Sequence, residues 1–279
     1  MQVVHGVDQL TPEHGPGFVV VGVFDGLHRG HAYLLRHLVT EAEARGAQPL
    51  VITFDHHPDE ILTGHAPPLL LDSAERLERL GAAGVAVTVV QQFDEALRQT
   101  RYDAFVARIS DRIDLRGFLM TPDAAFGFER RGTPEALAEL GAVRGFDVVV
   151  MPPFTLDGRV VRSSEIRSAI AAGDLKGAAA LLGRPVTLTG IVEDAGPDGV
   201  GLRFDLPLAL PPAGEYPCRI EGQAGRLRID RDVAYLRADV PLGVLVTVEL
   251  IAEDATAAPG RCAHGSRNGP LRTVRRRAD

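Results

Sequence analysis

The sequence predicts an α/β chain, a doubly wound parallel-sheet domain followed by a small antiparallel β-barrel-like domain. Three observations carry that prediction. Up to about residue 185, short continuous apolar runs alternate with amphipathic helical segments, as parallel strands covered on both faces require. A glycine-punctuated turn containing Gly26 and Gly30 directly follows the first of these runs and opens a helix. Beyond Pro185 the pattern changes to short strands separated by Gly/Pro-rich turns.

Taken in order, Phe18–Phe24, Leu50–Phe54, Val85–Val90, Gly117–Met120 and Val148–Met151 read as the parallel strands. Between the first two, His31–Arg45 places Leu34, Leu35, Leu38, Val39 and Ala42 on one helical face, and Gly46 ends it. Ser73–Leu80, Asp103–Ile109 and Pro134–Leu140 are the next helices, and Ser163–Ala172 and Leu175–Leu182 close the region. After Pro185, Val186–Glu193, Gly201–Leu206, Tyr216–Glu221, Gly225–Ile229 and Val244–Ile251 read as antiparallel strands. Turns such as Ala195–Gly199 and Pro211–Gly214 separate them. The expected division is residues 1–185 for the α/β domain, 186–255 for the β domain and 256–279 for a basic, disordered tail.

Of the 279 residues, 45% are hydrophobic and 24% charged, an ordinary globular balance. There is no Trp, so Val, Leu, Ile and Ala must build the cores. The opening MQVVHGVDQL lacks a basic stretch leading into an apolar one, and no apolar run approaches the roughly 20 residues of a membrane helix. The cytoplasm is therefore the expected location, without a membrane partner. Cys218 and Cys262 are too few for a disulfide framework or a cysteine metal cluster. The net charge of −7 is uneven: residues 261–279 carry six Arg against one Asp, and −12 remains on residues 1–260. A body that acidic does not suit nucleic acid, whose phosphates dominate such affinity. The tail suits an acidic partner or, as expected here, a solvated terminus.

Chemistry concentrates in Phe24-Asp25-Gly26-Leu27-His28-Arg29-Gly30-His31. A helix N-terminus offers unpaired N–H groups and a positive dipole end to a phosphate. Gly26 and Gly30 permit close backbone approach, and His28 and His31, three apart on one face, can reach the same anion and stabilise developing charge. The spacing differs from that of HEXXH metal sites, and no GxGxxG fingerprint occurs. An ordinary strand–turn–helix with incidental histidines is the plain alternative. Val161-Arg162-Ser163-Ser164-Glu165-Ile166-Arg167 has two readings. Ser163 or Ser164 caps the following helix, or the hydroxyls together with Arg167 hold an anion. Thr53-Phe54-Asp55-His56-His57-Pro58 ends the second strand, where His57 either meets a ligand or is an incidental loop histidine.

Together these segments resemble the adenylyltransferase module of the prokaryotic bifunctional FAD synthetases (riboflavin kinase/FMN adenylyltransferase), Rossmann-like members of the HxGH nucleotidyltransferases. GVFDGLHRGH keeps every fixed position of the family's G-x-FDG-x-H-x-GH, starting at Gly22. TFDHHPDEIL is similar to TF-x-PHP-x-x-x-L, with His56 in place of a proline. Phe126, Gly127 and Gly132 fit FG-x-x-x-x-G, and VMPPFTLDGRVVRSSEIR resembles VVPP…DG…SST-x-IR. Gly173-Asp174 and Leu181–Pro185 match the closing helix.

The resemblance implies that FMN's phosphate attacks the α-phosphorus of ATP, giving FAD and pyrophosphate, with Mg²⁺ arriving on the phosphates and no metal site in the protein. His28 and His31 would then steady the α/β-phosphates, and Ser163, Ser164 and Arg167 the β/γ-phosphates. Gly22, Phe24, Asp25, Gly26, Gly30, His57, Pro58, Asp123, Phe126 and Gly127 would line the nucleotide and flavin pocket. Two departures stand out. The family's G-x-D-F-R-F-G loop reads Thr121-Pro122-Asp123-Ala124-Ala125-Phe126-Gly127, replacing an aromatic and a basic residue by alanine. The kinase module's G-x-PTAN element reads Gly201–Ala209 without its Thr and Asn, and Glu249 or Glu253 is the only offer of a base. The expectation is FMN adenylyl transfer without riboflavin kinase activity. The alternatives are transfer to another phosphorylated acceptor, or a paralogue that binds flavin or nucleotide with little turnover.

Overall fold

The computed structural model describes residues 1–194, 200–231, 233–237 and 240–252. The turn at 195–199, Glu253, Cys262 and the basic tail lie outside the described residues.

Six strands form one parallel sheet: β1 (Gln2–His5), β2 (Gly17–Val21), β3 (Gln48–Phe54), β4 (Val87–Gln91), β5 (Leu115–Met120) and β6 (Asp147–Val150), in the order β1-β4-β3-β2-β5-β6. The connections carry α1 (Arg29–Ala44), α2 (Asp59–Thr63), α3 (Ser73–Ala82), α4 (Glu95–Arg98), α5 (Tyr102–Ser110) and α6 (Pro134–Arg144). Alternation along β2 sends Phe18 and Val20 to a core with Leu35, Leu38 and Ala42 of α1 and Leu80 of α3. Val19 joins Leu50, Ile52 and Phe118 against Phe105 and Ile109 of α5 and Leu137 of α6 on the other side. Both faces are thus covered, which is why the strands read as unbroken apolar runs.

Two expectations about this sheet need correction. The first strand stops at Val21 instead of Phe24, because Phe24, Gly26 and Leu27 take φ of 54°, 81° and 36° and lead the chain out of the sheet. Gln2–His5, not anticipated, adds a parallel edge strand against β4.

A short hairpin, β7 (Thr155–Leu156) and β8 (Arg159–Val160), leads into α7 (Ser163–Ala171) and α8 (Leu175–Leu182). There follow β9 (Val186–Asp194), β10 (Val200–Arg203), β11 (Gly214–Ile220), β12 (Gln223–Asp230), β13 (Val233–Arg237) and β14 (Leu245–Leu250). They close an antiparallel barrel in the order β10-β13-β12-β11-β14-β9. Sequence reading found five of these strands. The sixth, β13, offers only Ala234 and Leu236 to the interior, too short an alternation to stand out, yet it joins β10 to β12 and closes the ring. Among the described residues no helix is long and apolar enough to cross a membrane.

The barrel is tied to the α/β layer in three ways. Ile166 and Ile170 of α7 and Leu175, Ala178 and Leu182 of α8 share one core with the barrel interior. The buried Glu75 of α3 accepts hydrogen bonds from the Thr187 hydroxyl (2.9 Å) and the Thr189 hydroxyl (2.8 Å) of β9, and Arg79 Nε donates to it at 2.9 Å. Leu69 pairs with Leu208 as a parallel bridge, its N–H donating to Pro207 C=O and its C=O accepting from Ala209 N–H, both at 2.8 Å. Glu75→Ala leaves two buried hydroxyls and Arg79 without their acceptor. Thermal or urea unfolding should show a loss of about 2–3 kcal/mol, and a loss below about 0.5 kcal/mol would contradict this account of the interface.

Candidate active site

From β2 the chain winds towards β3 on one side of the sheet, while β5 lies on the other. Such a change of direction opens a crevice at the carboxyl ends of the strands, where α/β proteins bind ligands. The loops that meet there are 22–28 after β2, 55–58 after β3 and 121–133 after β5.

The turn after β2 is built around Asp25, which is 3% exposed. Its Oδ1 accepts the Leu70 N–H at 2.8 Å and its Oδ2 accepts Arg167 Nη2 at 2.6 Å. Its carbonyl accepts the Ser163 hydroxyl at 2.9 Å. Other groups hold the neighbouring carbonyls. Arg184 Nη2 donates to Gly26 C=O at 2.9 Å, and Thr53 Oγ1 and Arg76 Nη1 donate to Val23 C=O at 3.0 and 3.3 Å. Arg76 Nη2 also reaches Phe54 C=O at 2.8 Å, joining the ends of β2 and β3. Gly26 is required twice over. Its φ is 81°, and a Cβ there would lie 2.7 Å from Leu70 Cδ1.

The turn delivers His28 as the N-cap of α1, its Nδ1 accepting the His31 N–H at 3.3 Å. With Nδ1 an acceptor, the proton of the neutral ring sits on Nε2, which is left as a donor. The two imidazoles stack, with centroids 3.8 Å apart and planes 16° from parallel, and Phe24 packs on His31 at 5.1 Å. Burial, then the charges of Arg184 and Arg167, pushes His28 down to about 4. Burial, and after it His28, holds His31 well below its ordinary value. Both rings are therefore neutral near pH 7 and can stack without repulsion. His31 Nδ1 is buried without a partner, a polar atom that a ligand oxygen or N–H would satisfy.

Beside the turn lies a cavity of about 560 Å³, walled by Val21, Phe54, Phe93, Leu97, Phe118 and Phe126, with His57, Arg98, Thr121 and Arg130 as polar members. That size and lining suit an aromatic ring system.

The structure brings most of the sequence-nominated residues to this crevice, in differing capacities. Gly22, His57, Pro58, Phe126 and Gly127 line the cavity, together with Ala124 and Ala125. His57 Nδ1 accepts the Asp59 N–H at 3.2 Å, and burial lowers its pKa. Phe24 is a core residue, 1% exposed, and Asp25 and Gly26 shape the turn from within. Gly30 lies close to His28, a Cβ there falling 3.1 Å from the imidazole. Asp123 stands at the exposed rim, accepting Thr121 Oγ1 at 2.9 Å and facing Arg162 at 3.6 Å.

The start of α7 differs from the capping reading of its sequence. Arg162, not a serine, is the N-cap, and it caps without a side-chain bond. Ser163 spends its hydroxyl on Asp25, while Ser164 is exposed. Arg167 is engaged by Asp25 and by Pro68 C=O, the latter at 2.8 Å. Sequence reading missed Arg76 as an organiser, because one arginine in the charged run of α3 carries no local signal. Arg184 was quoted only as part of a closing helix, and Phe93 follows a strand without any motif.

Fold and site together define a Rossmann-like α/β protein with a histidine-bearing turn at its switch point and an attached closed barrel. The family model described as FAD synthetase matches residues 10–165, and the chain belongs to that family. The bifunctional riboflavin kinase/FMN adenylyltransferase of Pseudomonas fluorescens is 35% identical over 193 residues, 69% of this chain and 62% of that protein. The protein of the same description from Escherichia coli K12 is 28% identical over 225 residues, 80% of this chain and 71% of its own length. The match thus spans somewhat under two thirds of the Pseudomonas relative. A crystal structure from Streptococcus pneumoniae, described as a macrolide-efflux protein, superposes with a TM-score of 0.74 over 91% of this chain and 92% of its own at 22% identity, and so shares the fold.

The histidine environment sets a pH dependence of stability. Between pH about 4 and 6.5 the unfolded chain binds protons at position 28 that the folded chain refuses. Stability should therefore rise with pH across that window, be complete above 6.5 and fall as pH drops through it. Melting temperatures measured from pH 4 to 7 should show this rise, and His28→Leu should reduce it to the part that buried His31 and His57 contribute. An unchanged slope in the variant would contradict the burial argument.

Proposed function

We propose that this chain is an FMN adenylyltransferase, transferring the AMP moiety of ATP to the phosphate of FMN. An oxygen of the acceptor phosphate attacks the α-phosphorus, the bond to the bridging oxygen of the β-phosphate breaks, and pyrophosphate leaves in line. The observation that carries this reading is the juxtaposition of an aromatic-lined cavity with a turn that presents two neutral, stacked imidazoles. Membership of the FAD synthetase family supports it.

In this mechanism the residues position and stabilise and form no covalent bond. His28 Nε2 donates to phosphate oxygens as charge builds, and His31 Nδ1 gains the partner it lacks. The amides at the start of α1 face the same anion. Ser164 and the start of α7 contact the outer phosphates, while Arg167 contributes its charge and keeps Asp25 in place. Among the described residues no group of three or more His, Cys, Asp or Glu converges as a metal cage, and Asp25 is already engaged. These residues fit a Mg²⁺ carried on the phosphates of ATP, where it would neutralise charge.

The barrel is proposed to lack riboflavin kinase activity. In support, the Gly201–Ala209 segment lacks the Thr and Asn of the kinase element, and its end is spent on Leu69. Incubation with ATP, Mg²⁺ and FMN should yield FAD by mass, and riboflavin with ATP should yield no FMN. Turnover only with another phosphorylated acceptor would replace the flavin assignment. His31→Ala should lower kcat by about 10²- to 10³-fold with the fold retained by circular dichroism, and full activity would sink the mechanism.

A further inference from the structure

Arg130 stands out among the charged residues of the cavity. Arg98 is spent on Glu95 at 3.0 Å, and Glu129 on Arg131 at 2.6 Å. Burial disfavours a proton on His57, which therefore does not offset the carboxylate of Asp59, a cavity-lining residue at the start of α2, just beyond β3. Arg130 donates at 3.1 Å to the carbonyl of Asp123, a neutral acceptor, and has no carboxylate partner among the described residues. On the β5 side of β2, then, the wall carries one uncompensated cation, and the β3 side carries the opposite charge. Ala124 and Ala125, on the same loop, add none.

The backbone holds Arg130 in place before any ligand arrives. Glu129 and Arg130 both take φ of 54°, a left-handed conformation that non-glycine residues keep only when the surroundings impose it. Phe126 and Gly132 pair across the loop, and Phe128 N–H donates to Thr100 C=O at 2.8 Å. Gly127 sits so close to α5 that a Cβ would fall 2.5 Å from Tyr102 N. The position is also suitable for the reaction. Arg130 touches Asp123, Asp123 faces Arg162, and Arg162 begins the helix whose Ser163 binds Asp25. This row of residues runs from the cavity rim to the phosphate turn.

We propose that Arg130 is the specificity-determining residue for the acceptor. It binds the acceptor's phosphate at the rim while the aromatic walls take the ring system, so that a phosphorylated flavin is preferred to an unphosphorylated one. The inference rests on the FMN reading above, and binding measured without ATP separates the two. Flavin fluorescence or calorimetry should give the wild-type protein a clear preference for FMN over riboflavin. Arg130→Ala should weaken FMN about tenfold, the scale of one partly exposed charge-assisted contact, and leave riboflavin unchanged. Arg130→Lys should restore most of the preference. A wild-type protein that binds neither flavin overturns the FMN reading and this inference with it. A wild-type preference that survives Arg130→Ala, or a variant that loses both flavins equally, overturns the role of Arg130 alone.

Discussion

The buried carboxylate of Asp25 is the interaction on which the rest of the site depends. A charge out of contact with water is tolerated only if it is paired and hydrogen-bonded. Arg167 and the Leu70 N–H meet that requirement from two elements that are remote in sequence. Satisfying one side chain therefore fixes the turn after β2, the start of α7 and the segment around residue 70 relative to one another. The unusual backbone of Phe24, Gly26 and Leu27 is held by this triangle and by the arginines on the neighbouring carbonyls. Burial keeps both histidines neutral, and at His28 the cations that secure the turn add to it.

How much of this was legible in the sequence follows from the range of each interaction. The parallel strands and α1 announced themselves because both faces of the sheet and one face of the helix are buried, leaving unbroken runs and a regular stripe. The histidine-bearing turn was legible because its glycines and histidines are all within ten residues. The roles at 163–167 were not. A serine before a helix reads as a cap, until the main-chain carbonyl of Asp25, from 138 residues earlier, takes the Ser163 bond. β13 was missed for a different reason, because closing a ring of strands needs only a pair of inward side chains from its last member.

The cavity shows a similar division. Its aromatic wall is assembled from the ends of three strands, so no single segment carries the signal. The loop at 121–125 looked depleted when read alone. In the fold, its carbonyl at Asp123 is met by an arginine from the far side of the same loop, so a positive charge stands beside the two alanines.

The bridge between Leu69 and Leu208 has its own consequence. It consists of peptide N–H and C=O groups, and the next residue along, Leu70, uses its own peptide N–H to hold Asp25. The barrel thus reaches the turn after β2 through main-chain atoms that every amino acid except proline provides. At residues 69, 70, 208 and 209 any apolar side chain that fills the same core space leaves these hydrogen bonds in place. Two chains with few identities in common can dock their second domain in the same way, and comparison of side chains would not reveal it.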